Sequence, residues 1–249
     1  MELGTLIATS ETVEVYKSGN TAIKLFKEGA PKTAALYEAL THARVEATGL
    51  PIPVIHEISV IDGRWAIHMD LIEGETLAEQ MKRDPEHIDQ YLENMLDIQL
   101  EIHSKLVPKL SKLKDKLTRQ INELEGLDEV KKYELLTRLN SMPKHVKLCH
   151  GNFSPENIMM GKDGKVYIVD WVAARQGNAS ADIARTYLLL ALGSQEQADK
   201  YLDMFCQKTG TSKKYVLDWV PIVAAARMDE DVPEERELLA KWTDVVLYE

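Results

Sequence analysis

Asn157 and Asp170 carry side-chain oxygens of the type magnesium takes as ligands, and the chain between them has the form of a hairpin. Asn157 opens the run 157–160 (NIMM), Asp170 follows 166–169 (VYIV), and GKDG at 161–164 separates them as a turn. The spacing therefore predicts two donors on adjacent elements. Magnesium keeps several waters and takes only one or two protein carboxylates besides substrate phosphates, so two donors suffice. One chemistry that uses a cation held this way is phosphoryl transfer. It needs the cation on the phosphates, a group that orients the attacking hydroxyl, and little covalent help from the protein. The preceding stretch 148–156 (LCHGNFSPE) offers polar groups for that second task, Asn152 and Glu156 among them.

The elements that must hold these residues differ along the chain. Residues 13–16, 21–26, 54–60 and 65–71 are short β-rich runs, with hairpin turns at 18–20 (SGN) and 62–63 (DG). Residues 31–48 read as a helix that stops at Gly49, with Pro51 and Pro53 beyond it. From Thr76 onward helical periods take over. Asp84 with Pro85 is a helix start, a capping acid followed by proline in the first turn, and the helix runs to about Lys105. Its inward face includes Ile88, Leu92, Met95, Leu96 and Ile102. Residues 113–124 and 129–139 form a pair of amphipathic helices. Ser180, Ser194 and Ser212 precede further helices, and Pro221 is expected to kink the helix that carries Trp219. The layout is a small β-rich lobe over 1–73, including a connector near 69–74, and a larger helical lobe over 74–249.

At 249 residues the chain can bury a sizeable core as one domain or two lobes. The formal net charge of -10 disfavours nucleic acid, whose phosphates would be repelled, and suits cationic small molecules. Cys149 and Cys206 have neither metal-ligand spacing nor a disulfide framework around them, which reads as reduced cysteines of a cytoplasmic protein. Residues 1–19 lack the basic start and apolar run of a signal peptide. The longest apolar run, 187–192 (YLLLAL), is too short to cross a bilayer, so no membrane association is expected.

Several segments, taken in order, resemble the aminoglycoside phosphotransferase and choline kinase-like family, a branch of the protein kinase-like fold. They are 15–16 (VY), 22–26 (AIKLF), 49–53 (GLPIP), 69–77 (MDLIEGETL), the loop 148–157, the strand ending in Asp170 and Trp171, and 181–190 (ADIARTYLLL). The resemblance spans nearly the full length. Its most specific part is the loop 148–157 combined with 182–186 (DIART) downstream.

That resemblance implies an α+β, bilobal protein kinase-like fold. A small N-terminal antiparallel β-sheet lobe with one helix would precede a larger, mainly α-helical C-terminal lobe. It implies ATP or GTP with Mg2+ as cofactors. Lys24 would hold the nucleotide phosphates and pair with Glu38, with Glu46 as the rival partner. A cation on a rigid strand, positioned by a helix carboxylate, is a good phosphate clamp. Ser10 and Thr12 would offer hydroxyls and backbone N–H groups to phosphate oxygens, although Ala8 to Thr12 lacks the glycines usual in such a loop. In the connector, backbone groups around Met69 and Leu71 would read the adenine edge, while Met69 and Ile72 supply apolar contact. Gly74 would let the chain swing between lobes. Asn157 and Asp170 become the metal ligands. His150 and Asp182 become braces of the loop.

The family places an Asp where this chain has Asn152, and often a His where it has Ser154. An amide cannot serve as a base at neutral pH, yet it still hydrogen-bonds and can orient a hydroxyl. Losing general-base help costs about 10²–10⁴ in rate, while positioning and electrostatics carry most of this reaction. Glu156 is the nearby carboxylate able to replace it. The leading expectation is thus an ATP-dependent kinase acting on a hydroxyl of a small molecule, slowed by Asn152. The alternative is a nucleotide-binding pseudokinase or regulatory module without efficient turnover. A protein kinase is disfavoured, because no Ala-Pro-Glu follows Asp170 and only about a dozen residues separate it from the Asp182 helix. The acidic run 229–237 reads either as a solvated helix start favoured by the macrodipole or as a site for an ammonium-bearing acceptor.

Overall fold

The computed structural model describes residues 3–243. The chain begins with β1 (Thr5–Thr9), β2 (Val13–Ser18), β3 (Thr21–Phe26), α1 (Lys32–Glu46), β4 (Ile55–Ile61), β5 (Arg64–Asp70), β6 (Gly74–Thr76) and α2 (Leu77–Arg83). It continues with α3 (Ile88–Ser104), α4 (Leu113–Glu123), α5 (Glu129–Ser141), β7 (Lys147–Cys149), β8 (Ile158–Gly161), β9 (Val166–Ile168) and β10 (Arg175–Gly177). The last elements are α6 (Ala179–Gly193), α7 (Gln195–Thr209), α8 (Lys213–Leu217), α9 (Val220–Met228) and α10 (Arg236–Trp242). Contacts divide the chain into two units. One holds the chain up to Arg83 together with Pro155–Ala174, and the other holds Asp84–Ser154 with the chain from Arg175 onward.

The first unit is an antiparallel five-stranded sheet in the order β1-β2-β3-β5-β4. Two of its hairpins close in two residues. Ser18 pairs with Thr21, and Ile61 pairs with Arg64 across Asp62 and Gly63, both at positive φ (49° and 78°). That is the type I′ geometry whose twist matches the flanking strands. Strand β3 is buried on both faces. Ile23 and Leu25 pack with Ile61 and Ala66, whereas Phe26 packs with Ile67 and with Ala35 and Ala39 of α1. Ala22 and Lys24 share the Phe26 face by strand alternation, so Lys24 is directed to the helix side. The sheet has one strand more than the sequence implied. All five residues of β1 are exposed, so no alternation marked it.

A small antiparallel sheet, β6-β8-β9, completes this unit. Gly74 pairs with Gly161, and a Cβ on Gly74 would lie 2.0 Å from the Met160 carbonyl oxygen. The glycine is therefore needed for close backbone approach, not for swinging between lobes, and it sits inside a strand. Ile168 donates its N–H to the Pro51 carbonyl. This bond and the β6–β8 pairing tie 155–174 to the β-rich unit, whereas the sequence places the boundary at 73.

The second unit is helical apart from the antiparallel pair β7–β10. Leu92, Met95, Leu96 and Ile102 of α3 are buried, as are Tyr201, Leu202 and Phe205 of α7. Helix α6 is buried almost throughout, which accords with its apolar run 187–192, and it also buries Asp182, Arg185 and Thr186. Asp128 caps α5 by accepting from Val130 and Lys131 N–H. Three local expectations differ. Asp84 makes no capping bond, its carboxylate instead accepting from His87 and Tyr91. Asn178, not Ser180, caps α6. Pro221 kinks nothing: α9 begins at Val220, so the proline occupies the first turn, where no N–H is needed.

Candidate active site

Strand β3 and helix α1 position the first pair of charged side chains. Lys24 Nζ lies 2.5 Å from Glu38 Oε1 and 3.4 Å from Asp170 Oδ1. Burial pulls the Lys24 ammonium down, but the Glu38 and Asp170 carboxylates outweigh it and leave the group above its ordinary value, firmly charged. Glu46 is spent elsewhere, accepting from Ile55 N–H at 2.9 Å. Asp170 adopts a left-handed backbone (φ 63°, ψ 60°) between β9 and the turn Trp171–Ala173. Asp tolerates that conformation better than most residues. Asn157 ends a single 3₁₀ turn, Pro155–Asn157, and its carbonyl accepts from Val169 N–H at 3.0 Å. Asn157 and Asp170 thus flank the paired strands β8 and β9, the hairpin that the spacing predicted.

Lys24, Asn157 and Asp170 line one cavity of about 710 Å³. Its apolar wall includes Val15 and Ala22 from the sheet, Met69 and Leu71 at the end of β5, and Met159 and Val169 opposite. A concave, largely apolar cavity with a few convergent polar groups is the usual form of a small-molecule site. Glu156 is exposed and also lines this cavity. A second space of about 650 Å³ shares Ser10, Lys24, Glu38 and Asp170 and adds Thr12. Val15, Ala22, Met159 and Val169 lie in segments quoted from the sequence but had no place in the predicted site. Alternation could have found them, since Ala22 lies two residues before Lys24 on the same strand face, and Met159 two after Asn157.

The β1–β2 turn closes without glycine. Ser10 Oγ accepts from Thr12 N–H at 3.4 Å and Val13 N–H at 3.2 Å, and Ser10 N–H donates to the Val13 carbonyl at 2.8 Å. A hydroxyl folded back onto its own turn does the work that positive-φ residues often do. In this arrangement those N–H groups face Ser10.

In the second unit, Asp182 of α6 organises the loop after β7. Its carboxylate accepts from His150 N–H at 3.1 Å, Gly151 N–H at 2.7 Å, Gln99 Nε2 at 3.2 Å and His103 Nε2 at 2.9 Å. Burial would raise the Asp182 carboxyl, but His103, His150 and the Gly151 N–H hold it below the usual range. Asn152 donates its N–H to His150 Nδ1 at 3.2 Å, and Thr186 Oγ1 donates to the Phe153 carbonyl at 3.0 Å. The backbone around Asn152 is therefore fixed from beneath. Among the described residues no group of three or more His, Cys, Asp or Glu side chains is arranged to hold a metal. Asn157 with one carboxylate matches the sparse donor set expected for magnesium carried with phosphates.

The family model for phosphotransferase enzymes, APH, matches residues 10–220, from the Ser10 turn to the start of α9. The chain belongs to the APH family. Comparison with curated proteins finds no match. Among solved structures, a thermostable mutant of the aminoglycoside phosphotransferase APH(4)-Ia in apo form is similar with a TM-score of 0.69 at 12% identity, covering 96% of this chain and 90% of that one. An aminoglycoside-3'-phosphotransferase of type VIII gives 0.66 at 15%, covering 91% and 94%. Choline kinase LicA from Streptococcus pneumoniae gives 0.64 at 16%, covering 95% and 86%. These likenesses establish the protein kinase-like fold, an N-terminal antiparallel sheet followed by a larger helical part.

Within this APH chain most acids of the run 229–237 are engaged internally. Glu230 pairs with Arg185 and Arg227, Glu235 with Arg227, Asp231 with Arg236 and Glu237 with Lys241. Among the described residues no helix is long and apolar enough to cross a membrane.

Proposed function

We propose that this APH-family chain is an ATP-dependent phosphotransferase acting on a hydroxyl of a small molecule, and that Asn152 makes it slow. The observation that carries the reading is the Lys24–Glu38–Asp170 cluster opening onto a slot walled by Met69, Leu71 and Met159. Lys24, kept charged by two carboxylates, holds phosphate oxygens. The purine lies in the apolar part of the slot, where backbone groups near Met69 and Leu71 read its edge, so ATP and GTP are both candidates. Asn157 and Asp170 would hold Mg2+, which neutralises charge on the phosphates when bound. Ser10 and Thr12 sit beside the phosphate end. Asn152, on a backbone fixed by Asp182, orients the acceptor hydroxyl without removing its proton. A related aminoglycoside phosphotransferase solved as a ternary complex with AMP-PNP and hygromycin B supports a nucleotide and a small acceptor as the two ligands. A cytoplasmic location accords with ATP use and with the free thiols of Cys149 and Cys206.

A second reading, a nucleotide-binding pseudokinase, is favoured by the Ser10 turn, whose N–H groups are committed to its own hydroxyl. Thermal shift with ATP and GTP, each with and without magnesium, tests the nucleotide half. A ligand at 100 times its Kd stabilises by about 2.7 kcal/mol. Nucleotide-dependent stabilisation followed by ADP release with a hydroxylated acceptor supports the kinase. Stabilisation without turnover across a broad acceptor panel supports the pseudokinase.

A further inference from the structure

Helix α4 places Lys116 three residues after buried Leu113 and four before buried Gln120, on its inward side. There it borders a recess in the helical unit, together with Arg185 of α6, Gly151, Val223 and Glu230. Arg185 is only 7% exposed and cannot shed its charge. It pairs once, with Glu230 at 2.7 Å, while its buried Nε has no partner among the described residues. Glu230 is itself shared with Arg227. Lys116 makes no ion pair among the described residues. Burial first, then Arg175 and Arg185, depress its ammonium to about 8, and Glu230 only partly opposes them. Asp182 also borders the recess, but its carboxylate is already occupied by four donors.

Beside apolar Leu113 and Val223, the recess thus holds two cations with spare donors, Lys116 and Arg185, against two carboxylates, Asp182 and Glu230, that are already engaged. Buried cations of this kind are costly unless an anion meets them. A free space of about 30 Å³ exceeds the roughly 10–15 Å³ that one water needs, so a carboxylate or phosphate oxygen enters. Gly151 forms part of the wall, and the next residue is Asn152. We infer that the recess is an anion-binding subsite for the acceptor, taking a carboxylate or phosphate group carried by the molecule whose hydroxyl is phosphorylated. This rests on the phosphotransferase reading. It points away from an ammonium-bearing acceptor, since Glu230, Asp231, Glu235 and Glu237 of the run 229–237 already pair with arginine or lysine.

Calorimetry on the full chain with inorganic phosphate and with glycerate, in the absence of nucleotide, tests the subsite directly. Saturable binding is expected that Lys116→Met weakens about tenfold or more and Lys116→Arg retains, as for loss of one charge-assisted hydrogen bond. With magnesium-ATP, hydroxy acids or sugar phosphates should exceed choline and hygromycin B in kcat/KM, and comparison of the two anion classes identifies the group bound. Equal anion binding by wild type and Lys116→Met overturns the subsite. So does failure of both anions to bind a protein that does bind magnesium-ATP, an outcome that leaves the nucleotide reading intact. Lysine-dependent anion binding by a chain that fails to bind magnesium-ATP supports the subsite and rejects the nucleotide reading instead.

Discussion

Lys24 of β3 and Glu38 of α1 meet at 2.5 Å, joining the central strand of the sheet to the 15-residue helix beside it through a nearly buried ion pair. The pair keeps an ammonium charged where burial alone would discharge it. Its expected use is on nucleotide phosphates. Lys24→Met should weaken ATP binding by about 10- to 100-fold, the loss of one or two hydrogen bonds to charged groups. Calorimetric affinity equal to wild type removes Lys24 from the site.

Asp170 faces Lys24 and the same cavity as Asn157. Asp170→Ala should abolish the magnesium dependence of nucleotide binding while the helical unit keeps its fold. Titrating ATP with and without magnesium, alongside circular dichroism, checks both parts. A variant that retains wild-type magnesium-dependent affinity places the metal elsewhere.

Gly74 lies so close to the Met160 carbonyl that a Cβ there would sit at 2.0 Å. Gly74→Ala should therefore destabilise by about 1–3 kcal/mol, as overpacking does. Denaturant melts give the value directly. A neutral substitution means that β6 and β8 separate at little cost.

The hairpin between Asn157 and Asp170 was legible in sequence, because turn chemistry is a local signal, whereas the Lys24–Glu38 pairing came from the family resemblance. Other features were not. Strand β1 is exposed at every position, so hydrophobic periodicity had nothing to mark. Met159 reads as an ordinary apolar residue until β8 pairs with β6 across more than eighty residues of sequence. The same holds for Lys116. On an amphipathic helix a lysine reads as solvated, and only packing against β10, α6 and α9 surrounds it with Arg175, Arg185 and Glu230. Pro221 misled because the helix begin that accommodates it depends on where α8 ends.

Lys116 also predicts a pH dependence. Its folded value of about 8 lies below the ordinary 10.5, chiefly through burial and then through Arg175, Arg185 and Arg119, with Glu230 opposing them. Below about 8 the lysine is charged in both states, and the folded state bears the full cost of burying it. Between about 8 and 10.5 the unfolded chain still holds a proton that the folded chain has released, so stability rises with pH. Lys116→Met should be more stable than wild type at pH 7, with the difference shrinking toward pH 10. Parallel denaturant melts at several pH values measure this, and a destabilised variant at pH 7 shows Lys116 to be a structural tie.

The central claim, a phosphotransferase slowed by an amide at its hydroxyl-orienting position, is tested most directly by ADP formation in Asn152→Asp against wild type. Both proteins should be at saturating magnesium-ATP, first with water and then with hydroxylated acceptors. A carboxylate restores the general base, so turnover should rise by about 10²-fold, roughly 2.7 kcal/mol of barrier, at unchanged nucleotide affinity. A variant that binds magnesium-ATP normally yet gains neither hydrolysis nor transfer, or a wild type that is already the faster of the two, contradicts the account.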